Sequence, residues 1–174
     1  MQKIAKFEKV SFMQFYESMR DEHSYRYRDG DELFQATNHQ YGRIQMPKRS
    51  TVGSAGYDFF SPISFTLTPG ETIKVPTGIR VAIDEGWFLM CMPRSGHGFK
   101  YFARLANTVG IIDADYYSSD NEGHIFIKIR NEGDKNMEVK QGEAFCQGIF
   151  LPFGITHDDD ADGVRNGGFG STDK

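Results

Sequence analysis

The sequence predicts an all-β barrel or sandwich preceded by a short helix. From Ile44 onward apolar and polar residues alternate: Phe65 and Leu67; Ile73 and Val75; Ile79, Val81 and Ile83; Ile125, Ile127 and Ile129. Period-two alternation places successive side chains on opposite faces of a strand. Gly70, Pro76-Thr77-Gly78 and Glu85-Gly86 punctuate these runs at the short intervals typical of antiparallel sheets. No stretch of ten or more residues after 44 carries a helical stripe.

Along the chain, Ser11 with Gln14 three positions on reads as a capping box. Phe12, Phe15, Tyr16 and Met19 follow at helical spacing, which predicts a helix over about 12–20. His23 to Tyr41 is polar, with scattered aromatics and an Asp29-Gly30 turn signal. It reads equally as an arm, an irregular cover or part of a partner contact. Residues 1–42 are therefore set apart as an N-terminal extension and 43–156 as the β domain. Within that domain Trp87 to Met92 is an apolar strand ending at Pro93, and Ala144 to Leu151 is another closed by Pro152. Residues 157–174 form the third part. His157 to Gly163 is an acidic, solvated linker. Beyond it three glycines surround Phe169, an arm with no core of its own that orders only against something else.

A length of 174 residues suits one domain plus an arm. With 39% hydrophobic and 25% charged residues the chain is too apolar for disorder. The net charge is −4, and Asp158, Asp159, Asp160 and Asp162 account for all of it. That balance excludes general binding to a nucleic acid backbone, which needs a basic face, and leaves room for a small phosphorylated ligand. Two cysteines, Cys91 and Cys146, exclude a disulfide scaffold and a four-cysteine zinc site, and their apolar neighbours predict buried thiols. No apolar run approaches the roughly 20 residues of a membrane span, so no membrane partner is expected. The first residues carry no secretory pattern, and a reducing, cytoplasmic setting is expected.

Five short segments carry candidate chemistry. In Asp113-Ala114-Asp115-Tyr116 an extended backbone would project both carboxylates to one side, to hold a divalent metal or supply a base. The same pattern also reads as a solvated turn. Pro93-Arg94-Ser95-Gly96-His97-Gly98 combines a guanidinium fork, a hydroxyl and glycines that let backbone amides approach an anion. His97 receives no role, since no second histidine stands at ligand spacing. Arg165 with Gly167-Gly168-Phe169-Gly170-Ser171-Thr172 could close over a phosphate chain, but it is not a Walker A loop. Ala55-Gly56-Tyr57-Asp58-Phe59 and Gly142-Glu143-Ala144-Phe145-Cys146-Gln147 each read, alone, as a turn followed by a strand.

Taken together and in this order, the five segments resemble the five motifs of the trimeric dUTP diphosphatase (dUTPase) family. Ala55 to Asp58 is similar to the first, Pro93 to Gly96 to the second, Asn107 to Tyr116 to the third, Gly142 to Gln147 to the fourth and Arg165 to Thr172 to the fifth. The resemblance covers about residues 44–174. It implies a jelly-roll or distorted β-barrel fold and a homotrimer whose three active sites each draw on all three chains. It also implies an arm that crosses to a neighbour and closes over the nucleotide. The implied reaction splits dUTP into dUMP and pyrophosphate by water attack on the α-phosphorus with Mg²⁺. Asp113 would orient the water, while Asp58 and Asp115 would be supporting carboxylates. Gln147 would bond near the α-phosphate. The ion would be held chiefly by phosphate oxygens and water, so no direct protein ligand is assigned. Phosphate binding would fall to Arg94, Ser95, Gly96, Arg165, Gly170, Ser171 and Thr172. Phe169 would cover the uracil, which Asn107 and backbone groups around Gly110 and Ile112 would read. Tyr116 would pack on the deoxyribose and refuse a 2′-hydroxyl.

Three features depart from the family pattern. Tyr117 to Glu122 forms an insertion of about five residues before Gly123, the length of a longer hairpin turn. The arm is one residue short between Arg165 and Phe169, and Asp173 stands where a glycine is usual. Two other readings are open at this point. A dCTP deaminase of the same fold needs a glutamate near the third motif, and Glu122 is the nearby candidate. A nucleotide-binding regulatory trimer would use 1–42 or 117–122 to contact a protein partner.

Overall fold

The computed structural model describes residues 2–165. Phe169, Gly170, Ser171, Thr172 and Asp173, to which the sequence assigns arm roles or a departure, lie outside the described residues. Twelve short strands are present among the described residues; all but β1 lie after Ile44, where the sequence alternates. They are β1 (Ala5–Lys9), β2 (Lys48–Arg49), β3 (Tyr57–Phe60), β4 (Phe65–Leu67), β5 (Thr72–Pro76), β6 (Ile79–Ile83), β7 (Trp87–Pro93), β8 (Arg104–Leu105), β9 (Gly110–Ile112), β10 (Phe126–Arg130), β11 (Met137–Val139) and β12 (Ala144–Pro152). Among the described residues three α-helices accompany them: α1 (Phe12–His23), α2 (Gly30–Gly42) and α3 (Ser95–Tyr101). The architecture is therefore predominantly β with a helical contribution larger than the sequence predicts.

The largest sheet runs β2-β3-β12-β7-β9 and carries the first four motifs side by side. The first lies on β3, the fourth on β12, the second leaves the end of β7, and the third runs from the turn before β9 through β9 into the turn after it. Three smaller sheets, β5-β10-β8, β1-β6 and β11-β4, build the rest. The inward residues of the alternating runs, among them Val75, Val81, Leu89, Ile127, Ile129 and Phe145, are buried in one core. Burying such side chains supplies the main drive for folding.

The N-terminal segment packs against this core. β1 pairs with β6 from Ala5–Ile83 to Lys9–Ile79. Ser11 caps α1 by accepting the Gln14 amide, as the capping box predicts, but the helix runs three residues past the expected end. Phe15 and Met19 are fully buried. The stretch from His23 to Tyr41 contains α2, and Asp29 is its N-cap rather than a plain turn residue. α3, at seven residues, is too short to register as a helical stripe in the sequence. Both cysteines are buried and unpaired. No helix among the described residues is long and apolar enough to cross a membrane.

Candidate active site

β12 sets the first cluster. In register, Gln147 faces Asp58 on β3 and Met92 on β7. The Asp58 carboxylate accepts from Arg94 Nε at 2.9 Å and from Ser50 Oγ at 2.9 Å. Arg94 also donates to the Ala144 carbonyl at 3.3 Å, and Gln147 Nε2 donates to the Pro93 carbonyl at 3.3 Å. Gly56 is required by closeness: a Cβ there would stand 2.8 Å from Gln147 Oε1. Three sequence-distant motifs are thus cross-bonded on one side of the sheet. With Ser95 and Gly96 they line an open cleft of about 480 Å³. His97, Lys100 and Tyr101 line it too. The sequence assigns His97 no role, for want of a second histidine at ligand spacing, and gives no local signal for Lys100 or Tyr101, which α3 presents to the cleft. Burial, helped by the neighbouring Arg94 charge, lowers the His97 pKa and keeps the ring neutral near pH 7.

The third motif lies at the far edge of the same sheet, where β9 pairs with β7. The turn between β8 and β9 is tight. Thr108 N–H donates to the Leu105 carbonyl at 2.9 Å and Val109 N–H to the Asn107 carbonyl at 2.7 Å. Thr108 has φ of 68°, a left-handed conformation that a β-branched residue rarely adopts. Beside this turn is a second cavity of about 570 Å³ lined by Asn107, Gly110, Ile112, Cys91, Leu105 and Phe126 among others. Mostly apolar walls with a few polar groups suit a small flat ligand. The two cavities share no lining residue.

Asp113 follows Ile112 directly and opens a 3₁₀ turn over Ala114–Ser118. Arg165 donates from Nη2 to Asp113 at 2.5 Å and from Nε to Asp115 at 2.8 Å. Within one chain, then, Arg165 meets these two carboxylates and not the cleft at Arg94. Tyr116 is buried; its hydroxyl donates to the His124 carbonyl at 2.8 Å and accepts from Asn121 Nδ2 at 2.7 Å. Burial raises its pKa. Glu122, the carboxylate a deaminase would need, accepts instead from Ser11 N–H at 2.7 Å and from Ser11 Oγ at 2.6 Å. Among the described residues no group of three or more His, Cys, Asp or Glu side chains is placed to hold a metal ion.

The dUTPase family profile matches residues 42–173. The deoxyuridine 5′-triphosphate nucleotidohydrolase of Lactococcus lactis is 40% identical over 139 residues, covering 78% of this chain and 93% of that protein. The dUTPase structure from Streptococcus mutans superposes with a TM-score of 0.61 at 30% identity, covering 86% of this chain and 97% of that one. A dUTPase from phage phi11 of S. aureus, solved for its coordination of a structural Mg(II) ion, shares the fold with a TM-score of 0.57 at 22% identity, over 70% of this chain and 92% of that one. The chain belongs to the dUTPase family.

Proposed function

We propose that this chain hydrolyses dUTP to dUMP and pyrophosphate in a homotrimer with shared active sites. The observation that carries the reading is the separation of the phosphate-type and base-reading motif residues into two cavities. Guanidinium, hydroxyl and amide groups fitted to phosphates gather at Arg94, Ser95, Gly96 and Gln147, while the slot fitted to a base lies at Asn107, Gly110 and Ile112. Neither holds all that a nucleoside triphosphate needs. Apposition of one chain's slot to a neighbour's cleft completes the set.

In that composite site Asp113 accepts a proton from water as the water oxygen bonds to the α-phosphorus, and the bond to the pyrophosphate oxygen breaks. Asp113 is open enough for this, with its side chain 42% exposed. Asp58 holds Arg94 in place for the phosphates, and Arg165 brings a second guanidinium beside the attacking water. Asp113 and Asp115 offer hard oxygen donors, which fit Mg²⁺ in its usual water-rich shell. When bound, Mg²⁺ would supply charge neutralisation, with Asp113 and Asp115 the carboxylates that would hold it through its water shell. Asn107 and the backbone of the β8–β9 turn pair with the uracil edge, and cytosine leaves those groups unsatisfied. Tyr116 packs on the deoxyribose; the family resemblance assigns the cover over the base to Phe169 and the remaining phosphate contacts to Gly170, Ser171 and Thr172. Two unpaired thiols fit a reducing cytoplasm.

Pyrophosphate release measured against dUTP, dTTP, dCTP and UTP with Mg²⁺ tests the reading, together with mass in solution. Turnover of dUTP alone by a particle of three 19.8 kDa chains is expected. A monomer, or formation of a uridine nucleotide with ammonia from dCTP, would overturn it.

A further inference from the structure

Two segments have no place in the family motifs: the N-terminal extension and the Tyr117–Glu122 insertion. They are bonded to each other. The Glu122 carboxylate takes both the amide and the hydroxyl of Ser11, the residue that caps α1. A carboxylate at a helix N-terminus meets unpaired amides and the positive end of the helix dipole. Glu122 does so with φ of 57°, a left-handed conformation that costs a non-glycine residue energy. The next residue is equally constrained. Gly123 has φ of +69°, and a Cβ there would lie 2.7 Å from the Tyr117 Cα.

Two further bonds tie residues 1–42 to this part of the chain, one at Tyr117 and one at His124 just past the insertion. Tyr117 donates its hydroxyl to Glu8 on β1 at 2.6 Å, while Arg80 pairs with Glu8 at 3.1 Å and lies 4.3 Å from the Tyr117 ring centre. Ser18 on α1 lies 3.0 Å from His124 Nδ1. His124 Nε2 accepts the Gly78 amide at 2.8 Å, so Nδ1 carries the proton and donates to Ser18. The His124 carbonyl in turn receives the Tyr116 hydroxyl. The turn that bears Asp113 and Tyr116 is therefore held from behind by β1 and α1.

We propose that Glu122 is a positioning residue. By holding Ser11, the cap of α1, it fixes the Ala114–Ser118 turn, and with it Asp113 and Tyr116, so that residues 1–42 act as an internal brace for the third motif. The inference rests on the dUTP-hydrolase reading above. It explains why an insertion at this turn and an extension at the other end of the chain occur together in one molecule.

The test uses the full chain with Glu122→Ala, Ser11→Ala, Ser11→Thr and the Ser11→Ala/Glu122→Ala pair. The readouts are kcat, KM, the preference for dUTP over UTP, and amide exchange over 113–118. Misplacing a catalytic group by about an ångström can cost as much as 100-fold. Glu122→Ala should lower kcat about tenfold with KM within about threefold, weaken the preference against UTP, and speed exchange in the turn. Ser11→Thr keeps the hydroxyl and should match the parent. The pair should be no worse than Glu122→Ala alone, because both act through one contact. A Glu122→Ala enzyme with parental kcat and parental dUTP preference overturns the brace, even if it melts earlier. So does additive loss in the pair. A parent chain inert toward dUTP instead removes the hydrolase reading and this inference with it, so the two failures are told apart by the parent's own activity.

Discussion

Asp58 and Asp113 stand on the same five-stranded sheet, one on β3 and the other just past β9, in opposite surroundings. Asp58 is 14% exposed and has Arg94 and Ser50 bound to its two oxygens. Asp113 is 42% exposed and meets a guanidinium from near the C-terminal end of the described chain. The Asp58 side is complete within its own strands. The Asp113 side is assembled from elsewhere: Arg165 in front, α1 and β1 behind. A carboxylate already bonded at both oxygens serves to hold an arginine. One left half-open can accept a proton from water.

The sharpest way to break this contrast is to neutralise the open carboxylate. Asp113→Asn should lower dUTP turnover by about 10² to 10⁴-fold, the range for loss of a positioned base. Binding of dUTP should stay within a few-fold. Pyrophosphate release and equilibrium binding measured on the same preparation check both halves. An Asp113→Asn enzyme that keeps most of its rate would remove the base assignment. Asp58→Asn should act differently and less. It frees Arg94 without touching the water, so KM should rise about tenfold, equivalent to about 1.4 kcal/mol of binding, while kcat changes little. Equal loss of kcat in both variants would erase the distinction drawn between the two aspartates.

Much of this was readable from the residues, and the exceptions have physical causes. The strands after Ile44 were legible because their inward residues alternate in a one-sided core; Ile73, Val75, Ile127 and Ile129 are all buried as the period requires. β1 was not, because Ala5, Lys6 and Glu8 are exposed or half-exposed and only backbone pairing with β6 defines the strand. α2 was hidden since it buries little beyond Leu33 and Thr37, too narrow a stripe to show in a polar segment. In the site, residue types and order identified the motifs, and Ser11 with Gln14 identified the α1 cap. The Ser11–Glu122 contact was invisible, because a bond between residues 111 apart leaves no local pattern. Nor does sequence order reveal that the base slot and the phosphate cleft are separate within one chain.

The smallest expected effect concerns the joint between the two halves. His124 is fully buried, and burial, with Lys74 nearby, lowers its pKa from 6.5 to about 3. Protonating Nε2 would also set a proton against the Gly78 amide that donates to it. The unfolded chain therefore binds a proton between pH 6.5 and about 3 that the folded chain refuses. Stability from this group is present in full above pH 6.5 and falls as pH drops through that window. Between pH 7 and pH 6 the loss is about 0.7 kcal/mol, or a drop of about 1–3 °C in Tm. His23, lowered to about 4 chiefly by burial, contributes in the same direction. His124→Gln removes one of these two titrations, so its Tm should depend less steeply on pH than the parent's even if it is lower throughout. Parallel Tm–pH curves for the two proteins would mean that His124 can charge in place, and that the link from α1 to the third motif tolerates it.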